Sequence, residues 1–138
     1  MLSNTHFSLA VHALSAMAFF EGQVVGSEML AGSMGTNPSF LRGLLGQLRD
    51  AGLVETRRGK MGGSTLARPA DQITLLDIYR VTELRPAMTA HACDGKSPCP
   101  VARNMEKMLE DLNSKLEDTV TSELQKTTLA DLIGNYVR

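Results

Sequence analysis

The feature that most constrains this chain lies at residues 37–68. Asn37-Pro38 opens a segment with an apolar stripe at Leu41, Leu44, Leu45 and Leu48, and Gly52 closes it. Asn is a strong N-cap, and Pro at the first helical position loses only an N–H that had no partner. A glycine just past the last turn suits a helix end. The spacing therefore predicts a helix over 38–51. Leu53-Val54-Glu55-Thr56-Arg57 and Ser64-Thr65-Leu66-Ala67-Arg68 follow as two short strands. Between them, Arg58-Gly59-Lys60-Met61-Gly62-Gly63 is a turn with two cations. That is a β-hairpin with a basic tip. It lacks the Gly-Lys-Ser/Thr ending and following helix of a nucleotide-phosphate loop.

Two helices are expected before this unit. Phe7, Val11, Leu14 and Ala18, widened by Ala10 and Met17, give helical spacing over 5–20. A short helix over 27–34 follows, with Ser27 as the expected N-cap, Glu28 in its first turn and Gly35 as its stop. Downstream, Thr74-x-x-Asp77 reads as a capping box for a helix carrying Leu75, Ile78, Tyr79 and Val81. Residues 84–98 are irregular. From Pro100 a long helix runs to about 125, with Val101, Met105, Met108, Leu109, Leu112, Leu116, Val120 and Leu124 on its apolar side. Thr128-x-x-Asp131 caps a last short helix. The fold class is thus mainly α with a small β-hairpin. It divides into a winged helix-turn-helix domain at 1–83, a cysteine-containing loop at 84–99, and a dimerisation helix with a C-terminal helix at 100–138. A long apolar stripe on a small domain needs a partner, most simply the same helix of a second copy.

Charge supports this division. The net charge of the 138 residues is −1, but residues 36–68 hold six basic and two acidic side chains, while both flanks are net acidic. The concentrated positive charge points to a polyanion. A helix with an exposed polar face fits the DNA major groove, and a basic hairpin reaches the backbone or minor groove. The expected contacts to double-stranded DNA are Thr36, Asn37, Ser39, Phe40 and Arg42 from the helix start, Arg49 further along, and Arg57, Arg58 and Lys60 from the hairpin. Arg42 is the candidate for direct base reading, because arginine pairs bidentately with guanine. His6, near the start of the first helix, is a lesser candidate for phosphate, and His12 is a surface or core residue. Gly43 and Gly46 inside the helix allow two readings, close approach of another backbone or simple tolerance of glycine there.

With Glu21 interrupting the first apolar stretch, no signal peptide or membrane span is expected, and the cytoplasm is the default compartment. Two cysteines are too few for a disulfide scaffold. Cys93 and Cys99 allow three readings: a thiol switch, a metal site with His91, or a vestige whose Cys99 sits reactive at a helix N-terminus. A protein-binding winged helix is a second function class, opposed by the basic hairpin. An enzyme is the weakest class, since no Cys-x-x-Cys and no acid–base set appears.

The run from Asn37 to Val54, then Arg58-Gly-x-x-Gly-Gly63, then Ile73-Thr-Leu-Leu-Asp-Ile-Tyr79 resembles the IscR/NsrR/CymR-type superfamily of bacterial regulators. Pro69-Ala-Asp-Gln-Ile-Thr-Leu-Leu and Cys99-Pro-Val are similar to its YwnA-like branch. The resemblance implies a dimeric winged-helix transcription factor, often a repressor, with the long helix crossing between protomers. It carries wing and recognition-helix contacts to Arg58 and to Ser39, Phe40 and Arg42. The family often has Glu where Arg42 stands, which implies a different DNA sequence here. Its cluster-binding members have three cysteines with five residues between each; this chain has Met105 at the third position. A thioether is a poor ligand for an iron–sulfur cluster, so no cofactor is expected. The effector remains open.

Overall fold

The computed structural model describes residues 5–83, 85–92 and 94–137. Six α-helices are placed: α1 (His6–Phe19), α2 (Ser27–Met34), α3 (Pro38–Asp50), α4 (Leu75–Thr82), α5 (Pro100–Leu124) and α6 (Leu129–Tyr136). Between α3 and α4 lie β1 (Val54–Arg57), β2 (Gly63–Leu66) and a 3-10 turn at Ala70–Gln72. The two strands pair antiparallel, with Val54 opposite Leu66 and Arg57 opposite Gly63.

Local chemistry sets most boundaries. Asn37 Oδ1 accepts from the Ser39 and Phe40 amides at 2.7 and 3.4 Å, and Pro38 occupies the first position of α3. At the other end Gly52 has φ +79°, and Leu53 N–H returns to the Leu48 carbonyl at 3.0 Å. Both leucines are buried, so the helix stop is also a packing contact. One cap differs from expectation. Gly26, in extended backbone, is the N-cap of α2, and Ser27 is its first helical residue without a side-chain cap bond. Glycine takes this position at little cost, because it needs only a non-helical backbone.

The core gathers Leu14 and Met17 of α1, Leu30 of α2, the four α3 leucines, Val54, Ile73, Ile78 and Leu129. Ala10 and Ala13 are fully buried on α1, where α4 and α6 pack against that helix. Leu129 places α6 inside this core, so the core extends beyond residues 1–83. Two capping boxes stand side by side here. Thr74 bonds with Asp77, and Thr128 with Asp131, in the same reciprocal pattern. Leu75 N–H donates to the Thr127 carbonyl and Leu129 N–H to that of Ile73, each at 2.9 Å. The two helices therefore start from one short bridge.

α5 is different. Its 25 residues include none that is buried. A polar link ties it to α4: the Tyr79 hydroxyl donates to Glu117 Oε2 at 2.8 Å. Burial first, and then the Glu117 carboxylate, push the Tyr79 pKa up to about 12 from its ordinary 10.0. The folded state thus favours the neutral phenol. This contribution is complete below pH 10 and is lost as pH rises through the folded value. The loss has a ceiling of about 3 kcal/mol. Chemical denaturation from pH 8 to 12 should show a steep alkaline fall in wild type. The Tyr79→Phe variant should show a flatter one, and equal slopes would refute the coupling.

Candidate nucleic-acid interface

α3 buries Leu41, Leu44, Leu45 and Leu48 and turns Ser39, Phe40, Arg42, Gly43, Gln47 and Arg49 outward. The hairpin stands beside it, and the tip end of β2 is anchored by a third strand-like partner. Val25 and Ser64 exchange backbone hydrogen bonds at 3.0 and 2.8 Å. This tie, between the α1–α2 connection and β2, fixes the hairpin relative to α3. At the tip, Gly59 has φ +100° and its carbonyl accepts from Gly62 N–H at 3.0 Å. A Cβ on Gly62 would land on the Arg57 carbonyl oxygen, so the turn requires glycine there.

Between α3 and the hairpin runs a groove of about 330 Å³. Arg42 and Arg49 line it from the helix, and Arg57 lines it from the strand. Three arginine residues from two elements therefore line one concave surface, where positive charge suits an anion with spaced charges. Arg58 and Lys60 extend the charge, exposed, to the tip. Arg49 is paired with its neighbour Asp50 at 3.4 Å, but both side chains are more than half exposed. Such a pair holds little energy and yields readily to phosphate. Arg68 is turned to structural use: it bonds the Gln72 carbonyl at 3.5 Å and lies 3.9 Å from Asp77. Thr36 is half-buried, its amide bonding back to Ala31 of α2, and exposed Asn37 caps α3.

Gly43 and Gly46 do not accommodate another backbone of this chain. A Cβ on Gly43 would meet nothing within 4 Å, and one on Gly46 only the Arg49 guanidinium at 3.9 Å. The free space lies on the outer side, because neither residue is on the leucine stripe. His6 stacks at a tilt on Phe40, with ring centroids 5.3 Å apart. His12 Nε2 lies 3.1 Å from Ser33 Oγ and links α1 to α2.

Cys93 lies outside the described residues. Cys99 is exposed at the N-cap position of α5. The amides of Ala102 and Val101 face its sulfur and hold the thiol pKa below its ordinary 9.0, without forming a full cap hydrogen bond. His91 is exposed and lines a cavity with Glu106, Leu109 and Asn113. Among the described residues, no group of three or more His, Cys, Asp or Glu is arranged to hold a metal ion. In a Cys93→Ser background, the pH midpoint for iodoacetamide labelling of Cys99 should fall below that of a free cysteine thiol. A midpoint at or above it would remove the helix-terminus effect.

Of the residues expected on the long helix, Met108, Leu112 and Leu116 are exposed by 50%, 48% and 41%. Met105, Leu109 and Val120 are half-buried. Asn113 was not foreseen. Its side-chain amide clasps the Met88 backbone, accepting from the N–H at 3.0 Å and donating to the carbonyl at 2.8 Å. This holds the loop after α4 against α5. Among the described residues, no helix is long and apolar enough to cross a membrane.

A short helix, an exposed second helix and a glycine-tipped hairpin with cations on one side define a winged helix-turn-helix, a DNA-binding fold. The chain belongs to the Rrf2 family, described as iron-dependent transcriptional regulators, whose family model matches residues 3–135. It is 28% identical over 132 residues to YwnA of Bacillus subtilis, described as an HTH-type transcriptional regulator, covering 96% of this chain and 97% of YwnA. Among solved structures it is similar to a transcriptional regulator from Lactobacillus plantarum, with a TM-score of 0.81, 26% identity and coverage of 95% and 89%. It is also similar to CymR of B. subtilis, described as the global cysteine regulator, with a TM-score of 0.69, 26% identity and 95% coverage of each chain. The family is one of transcriptional regulators, not of enzymes.

Proposed function

We propose that the chain is a cytoplasmic homodimer that binds double-stranded DNA sequence-specifically and represses transcription. The observation that carries the DNA reading is the groove between α3 and the hairpin, with Arg42, Arg49 and Arg57 on its walls. Its cations match phosphate, and the exposed end of α3 offers Ser39, Phe40 and Arg42 to base edges. The uncovered apolar row on α5 supports the dimer. The repressor assignment follows the family resemblance. No membrane is a partner in this reading.

The signal in this reading is a thiol one. Cys93 and Cys99 are the chain's two cysteines, and they flank a short loop with Gly95 and Pro98. Oxidation by a peroxide or disulfide oxidant would join them, with two electrons passing to the oxidant. CymR, to which the chain is similar, is described as a cysteine regulator, which agrees with a sulfur-linked effector. The donor set does not suit the iron centre that the family description suggests. Met105 is a half-buried thioether where the family's cluster-binding members have a third cysteine, so the three-thiolate set is incomplete. The regulator in this reading works without a cofactor.

Fluorescence anisotropy with genomic fragments, across a salt series and with reduced or oxidised protein, tests the proposal. Phosphate contacts require affinity to fall steeply with salt. Salt-insensitive or absent binding would sink the DNA reading. A brown, iron-containing anaerobic preparation would sink the thiol reading instead.

A further inference from the structure

On the flank of α3 away from the hairpin lies a second concavity, a notch of about 220 Å³. Its lining is His6, Ser39, Phe40, Gly43, Leu44 and Gln47. Phe40 is 39% exposed, and the His6 ring 5.3 Å away holds it in place. Leu44 is buried beneath, and the space above Gly43 is open, since a Cβ there would meet nothing within 4 Å. An aromatic wall, an aliphatic floor and a missing side chain make a receptacle for a small apolar group. Arg42 and Arg49 on the other flank of the same helix line the basic groove, so a polyanion held there would also lie along the notch. In the major groove of DNA, the apolar group that marks a base pair is the C5 methyl of thymine.

Resting on the DNA-binding reading above, we infer that Phe40 and Gly43 form a thymine-methyl pocket that fixes one T·A pair of the recognised sequence. Arg42 and Phe40 then read opposite sides of the helix: a hydrogen-bonding base edge by the arginine, a methyl group by the ring.

The test begins with duplexes that the wild-type protein selects from a random-sequence pool. Thymines of the selected site are replaced one at a time by deoxyuridine, which removes only the methyl. Affinity should fall about fourfold at one thymine, the equivalent of losing the burial of one methylene-sized group. In Gly43→Ala the new methyl projects into the notch and narrows it. That variant should bind the thymine site more weakly, with the thymine-to-uracil ratio close to one. Phe40→Ala should also lose the ratio. Gly43→Ala should melt at the same or a higher temperature than wild type, because alanine favours the helix. A site in which no thymine responds to methyl removal would overturn the inference. So would a response that persists unchanged in both variants. If wild type selects no site at all, the DNA reading itself falls, and that outcome appears before any uracil duplex is made.

Discussion

Replacing Arg42 with alanine is expected to lower affinity for the selected DNA site about 10- to 100-fold, the usual range for a bidentate arginine–guanine contact. Affinity for unrelated duplexes should fall much less. The expectation rests on position. Arg42 sits one turn into α3, is exposed, and lines the groove that the hairpin closes on its other side. On the proposed DNA reading, a guanidinium there would reach both a base edge and the flanking phosphate, so its loss would remove sequence information as well as charge. Arg57 provides the contrast. It lies on β1, further from the helix start, and should act on phosphate alone. Arg57→Ala should weaken all duplexes alike and lower the salt slope by about one ion. The pair is measured by anisotropy on the selected and a scrambled duplex at three salt concentrations. Equal losses on both duplexes for Arg42→Ala would remove it from base reading. Because neither side chain is buried, thermal melting should hardly change.

These residues could be singled out from sequence because the signals that place them are local. Asn37-Pro38 sets where α3 starts, and four leucines set which way it faces. Thr74-Asp77 and Thr128-Asp131 mark their helices by the same reciprocal bonds that the structure contains. The misplaced cap at Ser27 shows the limit: a capping residue is chosen by backbone conformation, and Gly26 leaves no side-chain trace. Non-local pairings were not legible. The Val25–Ser64 exchange and the Thr74–Thr128 bridge join segments tens of residues apart, and only folding brings them together. The arginine groove has the same character. Arg42 and Arg57 each read as basic residues near DNA, but that they share one concave wall depends on the angle between helix and hairpin. Gly43 was visible as an oddity. That it lines one notch with Phe40 and His6 depends on how α1 packs against α3.

The larger effect is expected on α5. The double variant Leu112→Glu, Leu116→Glu should convert a dimer into a monomer at micromolar concentration. Its affinity for a two-half site should fall at least about 100-fold, through loss of the linked second head. An isolated helix gains little from propensity alone; most helical stability in proteins comes from packing an apolar face. α5 spans 25 residues yet has no buried residue within its own chain, and Val101, Met108, Leu112 and Leu116 remain exposed along it. Covering a leucine fully yields about 1.5–3 kcal/mol, and twofold symmetry counts each position twice. Two glutamates on each helix replace that gain by like-charge repulsion and carboxylate desolvation. The core is spared, because neither leucine belongs to it and α5 meets the head through Tyr79 and Glu117. The variant should therefore keep its cooperative unfolding transition, with the part of the helical signal that belongs to α5 reduced. Sedimentation equilibrium on both proteins, followed by binding to full and half sites, decides the matter. A monomeric wild type, or a variant that still sediments as a dimer, would remove the α5 face as the interface. Unchanged half-site affinity together with lost full-site affinity would establish that dimerisation, not the reading head, had been broken.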